Sequence, residues 1–317
     1  MNGSNDVVTA PTAWRGEDLT PESWQLTCDD RDLTELAELG EKLDASGVTL
    51  ESATPADLDV QVLRRVASRI ADQLASGPGV VLMRTWPVAE WGLDTSGVLL
   101  WGLGTLIGDP LPQNNNGRRL SSVSRQVVTA GRFSESARRG SRSDEEIDFH
   151  TENALPPRPP RVISLMCGRP AAEGGESAFV SGHTIYNQLL RDAPEAVEIL
   201  SRPMPFGRQE GDWADGKQVD VEPVFQRDGN KLRVRFNRYW LDRGAVVTGH
   251  QWDDDTKAAF DAFEAAAHRP GNALVHRLDA GETVFVDNNV VLHARRRFTD
   301  RPAEAGAGRM LWRLWCA

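Results

Sequence analysis

The feature that most limits the fold of this chain is an order of patterns: helix-period stripes come first, and a series of short β-rich runs follows. Leu33, Leu36, Leu39 and Leu43 recur three to four residues apart between Asp32 and Asp44, and Gly47 follows as a stop. The stripe returns over Asp57 to Leu74 through Leu58, Val62, Leu63, Val66, Ile70 and Leu74, with Thr54-Pro55 as a start. GPGVVLMRTWP reads as a buried strand, and Thr95 to Leu106 as a further helix closed by Gly108-Asp109-Pro110. From Ile147 the runs shorten to IDFHTE, RVISLMC and SAFVSG. A helix pair interrupted at Pro194 spans residues 182–201, Asp228-Gly229 marks a hairpin, and Thr256 to His268 is helical. ALVHRL, TVFVDNNVVLHARRRF and GRMLWRLWCA supply the last strands. Helices followed by an interrupted β-rich core favour α+β, built on a jelly roll, over alternating α/β.

The expected organisation is a flexible N-terminal arm over residues 1–22 and a single domain over 23–317. N-terminal helices precede a double-stranded β-helix core, which carries a helical insertion at about 185–270. Residues 130–146 lack the apolar content to pack and stand directly before IDFHTE; a lid loop and an ordinary surface loop are both open readings. The formal net charge of -10 argues against a nucleic-acid partner, which needs a basic stripe. Three dispersed cysteines, Cys28, Cys167 and Cys316, form no metal or redox motif and fit a reducing compartment. Neither a signal peptide nor an apolar run of membrane-spanning length is read, so the expected location is the cytoplasm.

His150 and Glu152 are two residues apart in a strand-like run, so both face one side while Thr151 faces the other. Alone, His-x-Glu arises by chance. His293, at the end of another strand-like run, adds a second imidazole. Two imidazoles and one carboxylate on one face of a mononuclear iron leave positions open for reactants. His183, His250, His268 and His276 have no such spacing and read as structural.

FHTENA, GGESAFVSG, FVDNNVVLHARRRF and RMLWRLW together resemble the taurine dioxygenase superfamily, including its clavaminate synthase-like branch, from about Val80 to the C-terminus. The resemblance implies a cupin-like core and an iron(II)/2-oxoglutarate-dependent oxygenase. Its implied iron ligands are His150, Glu152 and His293. Arg309, 16 residues after His293, is the implied partner of 2-oxoglutarate, with Ser177 assisting the same carboxylate. Arg313 is the implied substrate contact and the competing choice for 2-oxoglutarate, and Gln113 and Asn114, in a loop that similar proteins place near the pocket, are further expected substrate contacts. Arg295, Arg296 and Arg297 read as too close to His293 to turn back. A guanidinium fork suits a carboxylate. The implied reaction takes O2 and 2-oxoglutarate to succinate and CO2 while hydroxylating a small polar molecule, an amino acid or a carboxylate-bearing biosynthetic intermediate. Family halogenases replace the carboxylate ligand with a small residue, so Glu152 points away from halogenation. Desaturation or oxidative cyclisation is the alternative within the class, and a non-catalytic, cupin-like metal-binding protein the alternative outside it.

Overall fold

A computed structural model of the chain describes residues 6–50, 52–58, 60–84, 86, 88–113, 117–124, 144–152, 159–208, 215–300 and 308–317. Two β-sheets lie face to face with helices on both outer sides. The larger sheet runs β1 (Gln25–Leu26), β2 (Val80–Met83), β13 (Thr283–Asp287), β5 (Val162–Arg169), β16 (Met310–Cys316), β3 (Leu120–Ser124). Its β1–β2 pair is parallel and its other pairs antiparallel, so the sheet is mixed. The smaller sheet runs β12 (Leu274–His276), β7 (Ser177–Ser181), β14 (Val291–Arg295), β4 (Ile147–His150). Three two-stranded pieces complete the β structure: β6 (Glu173–Gly174) with β15 (Phe298–Thr299), β8 (Met204–Gly207) with β9 (Val219–Glu222), and the hairpin β10 (Phe225–Asp228) with β11 (Lys231–Val234).

Strand alternation assigns the faces. Val80, Leu82, Cys167, Val284, Val286 and Leu311 of the larger sheet meet Phe179, Leu274 and Val291 of the smaller one in a single apolar cluster. Neighbours one residue along point outward. Val81, Met83, Phe285 and Leu314 pack on α2 (Asp30–Ser46), α4 (Gln61–Ser76) and α5 (Val88–Ile107). On the far side Ala178, Val180, Leu292 and Ala294 pack with residues of α6 (Gly182–Asp192), α7 (Pro194–Leu200), α8 (Arg238–Thr248) and α9 (Asp254–Ala267).

The leucine stripe forms α2, capped by the Asp29 carboxylate on Asp32 N and ended by Gly47 at φ 64°. The next stripe is broken into α3 (Pro55–Leu58) and α4, and α5 begins earlier than expected, with a kink at Gly92. Helix α8 was not expected. Its β-branched Val246, Val247 and Thr248 hide the helical period, but Asn237 caps its start and Gly249, at φ 67°, ends it. The segment expected as a loose arm is tied down where it is described. Val8 exchanges two hydrogen bonds with the Asn187 side chain, and Trp14 is buried with Nε1 donating to Pro78 O at 2.7 Å, before α1 (Pro21–Trp24). One large indole outweighs the polar composition around it. All three cysteines are free and buried. Among the described residues no helix is long and apolar enough to cross a membrane.

Glycines on α5 let it sit close to β16, the strand that presents Arg313. A Cβ added at Gly97 would stand 3.0 Å from the Trp312 ring, and one at Gly104 would overlap Leu314 Cδ2. Gly104→Ala gains helix propensity of up to about 1 kcal/mol. Overpacking against the fully buried Leu314 outweighs it, because neither helix nor strand can shift cheaply. The expected result is a net loss of roughly 1 kcal/mol in urea unfolding, the upper overpacking cost of about 3 kcal/mol less the propensity gain setting the ceiling.

Candidate metal centre

The site lies between the sheets, where the end of β4 meets the middle of β14. His150 and His293 are direct cross-strand partners, which brings their rings to 4.3 Å between centroids. Glu152 follows β4, with its carboxylate Oε1 3.9 Å from His293 Nε2. One donor atom from each of the three lies within 4.8 Å of the others, and they form the one such group found among the described residues.

Backbone contacts aim these side chains. Thr151 is buried on the opposite side, where its N–H donates to Phe236 O and its hydroxyl accepts from Phe236 N. Asn288 holds Glu152 at both backbone groups: Oδ1 accepts from Glu152 N at 2.7 Å, and Nδ2 donates to Glu152 O at 3.0 Å and to Pro160 O at 2.9 Å. The sequence reading missed Asn288, although its place in the FVDNNVV turn ahead of His293 was a signal. His150 Nδ1 contacts Asp148 O at 2.8 Å. A carbonyl only accepts, so Nδ1 donates to it and Nε2 is left to face the site. Burial, with the neighbouring charges of His150 and Arg313, holds the His293 imidazole well below its usual range, so it is neutral and needs no deprotonation to bind a metal. Two imidazoles and a carboxylate on one face are the donor set of a mononuclear non-haem iron centre.

Arg313 reaches this group from the larger sheet. Its Nη1 donates to Glu152 Oε1 at 2.9 Å, its Nε donates to Gln113 Oε1 at 2.9 Å, and its guanidinium stacks on Trp315 at 4.5 Å. Two of the three residues expected to touch substrate, Arg313 and Gln113, are thus bonded to each other. Asn114 lies outside the described residues, as do residues 130–143 of the expected lid. Residues 144–146 are stapled to the turn after β14, where Phe298 N donates to Asp144 O and Arg297 pairs with Glu145.

Arg309 is 4% exposed, and no described residue hydrogen-bonds its guanidinium, which lies over the Phe298 ring at 5.3 Å. Burial lowers its pKa, opposed by Cys167 and Asp300. Gly175 adopts φ 73° beside it, and a Cβ there would come within 3.2 Å of Arg309 Nε. Ser177, two residues on, is buried and pairs across the sheet with Arg295. Arg295, set aside on spacing, is itself buried on the inner face and lies 5.0 Å from the same Phe298 ring. Burial first, then the Arg309 charge, pushes its pKa to about 10. No turn back was needed: strand alternation from His293 already places it inside.

Comparison with known proteins identifies the family. Residues 36–315 match the model of the taurine catabolism dioxygenase TauD, TfdA family. FR-33289 synthase of Streptomyces rubellomurinus is 26% identical over 97% of this chain and 89% of its own length. Mitochondrial trimethyllysine dioxygenase of Gallus gallus is 30% identical over 48% of this chain and 38% of its own. Among solved structures, asparagine oxygenase in complex with Fe(II), 2S,3S-3-hydroxyasparagine and succinate has the same fold, at a TM-score of 0.68 and 22% identity over 92% of this chain and 93% of that one. The non-heme iron oxygenase OrfP in complex with Fe and alpha-ketoglutaric acid aligns at a TM-score of 0.63 and 17% identity, over 93% of each chain. The chain belongs to the taurine catabolism dioxygenase TauD, TfdA family.

Proposed function

We propose that this enzyme hydroxylates a small polar substrate, an amino acid or a carboxylate-bearing biosynthetic intermediate, as an iron(II)/2-oxoglutarate-dependent dioxygenase. The carrying observation is the co-facial set His150, Glu152 and His293 beside a buried guanidinium, Arg309, to which no described residue hydrogen-bonds. Burial works against this cation, and a carboxylate is the natural partner of its guanidinium fork. In this reading His150, Glu152 and His293 hold the iron, and Arg309 with Ser177 takes the distal carboxylate of 2-oxoglutarate. Arg313 faces the reactants, and the two stacked sheets are a double-stranded β-helix within one domain.

Iron bound here supplies the centre at which O2 is activated. The overall balance is substrate, 2-oxoglutarate and O2 giving hydroxylated substrate, succinate and CO2. The chain's own part is positional. The inter-sheet apolar cluster shields one side of the site from water, and Arg309 anchors the co-substrate. An amino-acid substrate draws support from relatives whose names carry trimethyllysine and 3-hydroxyasparagine. Desaturation or cyclisation at the same site is the second reading, since Glu152 bears only on halogenation.

The test is a mass-spectrometric screen of amino acids and biosynthetic acids with iron, 2-oxoglutarate and ascorbate. One succinate per product and a gain of one oxygen are expected. A loss of two hydrogens would replace hydroxylation by desaturation or cyclisation. Failure of any candidate to raise succinate above the iron-free control would argue for a metal-binding protein without turnover.

A further inference from the structure

Gln113 stands in the loop between α5 and β3 and is 5% exposed. Its Nε2 donates to Arg119 O at 2.7 Å and to Arg313 O at 2.6 Å, and its Oε1 accepts from Arg313 Nε at 2.9 Å. A side-chain amide nitrogen carries two protons. Both are used inside the protein, so neither is left to donate to a substrate.

The surrounding chain explains why a side chain does this. Residues 110–113 run beside the end of β16: Pro110 bridges Cys316, and Leu111 N donates to Trp315 O at 2.7 Å. The next N–H on that side is Gln113's own, and it donates to Arg118 O instead. The Gln113 side-chain amide supplies the donor that reaches the Arg313 carbonyl, and the Gly117 turn, with that backbone bond, holds it there. Arg313 is therefore gripped at its backbone by Nε2 and at its guanidinium by Oε1. With Trp315 beneath, the long side chain is confined, and its Nη1 is delivered to Glu152 Oε1.

We propose that Gln113 is a positioning residue: through Arg313 it fixes the Glu152 carboxylate and so tunes the metal site, rather than contacting substrate. The proposal rests on the assignment of His150, Glu152 and His293 as metal ligands. Outer partners of a ligand typically set metal affinity by about 10- to 100-fold.

Equilibrium binding of Co(II), in place of iron and without turnover, tests it on the full-length protein. Gln113→Leu is expected to weaken Co(II) binding about tenfold, at the lower end of that range. Added to Arg313→Leu, it is expected to change the affinity by less than about twofold, because its route to Glu152 is already gone. Gln113→Glu keeps the acceptor for Arg313 Nε and loses the two donors. It should weaken binding at least about threefold, and it serves if the leucine variant does not fold. Wild-type affinity in the folded Gln113 variants, or the same loss with and without Arg313, would overturn the proposal while leaving the ligand set intact. Co(II) binding unaffected by His293→Ala would overturn both.

Discussion

Replacing Glu152 with alanine should abolish succinate formation and weaken metal binding by more than about 100-fold, since even groups one step removed from a ligand account for 10- to 100-fold. The variant loses one of three donors and also strands Arg313, whose Nη1 donates to Glu152 Oε1 at 2.9 Å. The pair is partly buried, so the about 3–5 kcal/mol cost of leaving one member of a fully buried pair uncompensated is an upper bound on the fall in stability. The bound is not reached here, because Arg313 keeps Gln113 and Trp315. The separation is measurable: circular dichroism and urea unfolding report the fold, and Co(II) titration reports the site. Turnover like that of the wild type would remove Glu152 from the ligand set.

The second large effect is expected at Arg309. Arg309→Met removes the buried cation assigned to the distal carboxylate of 2-oxoglutarate. Truncating one side of a buried, hydrogen-bonded charge pair costs about 2–5 kcal/mol. At about 1.4 kcal/mol per tenfold, that raises the KM for 2-oxoglutarate roughly 30-fold or more. Arg309→Lys keeps the charge and loses the fork, so an intermediate KM is expected. Stability without co-substrate moves the other way. Burial already works against the charged form of Arg309, and no described residue hydrogen-bonds its guanidinium, so the methionine variant should melt no lower than wild type. Its stabilisation by added 2-oxoglutarate should shrink from about 2.7 kcal/mol, the wild-type gain at a hundred times Kd, to about 1 kcal/mol or less at the same concentration. A variant that melts lower but keeps its KM would make Arg309 a packing residue.

The ligand geometry was legible because a strand is a simple object. Period two makes His150 and Glu152 co-facial without any knowledge of neighbours, and His293 stood out as the second imidazole of a strand-like run, although it lies in the middle of β14 rather than at its end. The same rule, followed two residues past His293, reaches Arg295. The spacing argument that set Arg295 aside asked whether the chain could turn back and did not use the face the residue occupies. Contacts that depend on register between distant strands were out of reach. The bond from Gln113 to Arg313 spans 200 positions, and the grip of Asn288 on Glu152 spans 136. No local pattern encodes such pairings. Helix α8 escaped for a local reason: its β-branched residues and the arginine-rich run before it look extended, and the Asn237 cap was the weaker signal.

The most direct measurement is a crystal structure of the enzyme grown or soaked anaerobically with Fe(II) and 2-oxoglutarate. The account predicts an anomalous iron peak bounded by His150, Glu152 and His293, with the distal carboxylate of 2-oxoglutarate on the Arg309 guanidinium. Iron bound elsewhere, or the distal carboxylate seated on Arg295 or Arg313 with Arg309 uninvolved, would contradict it.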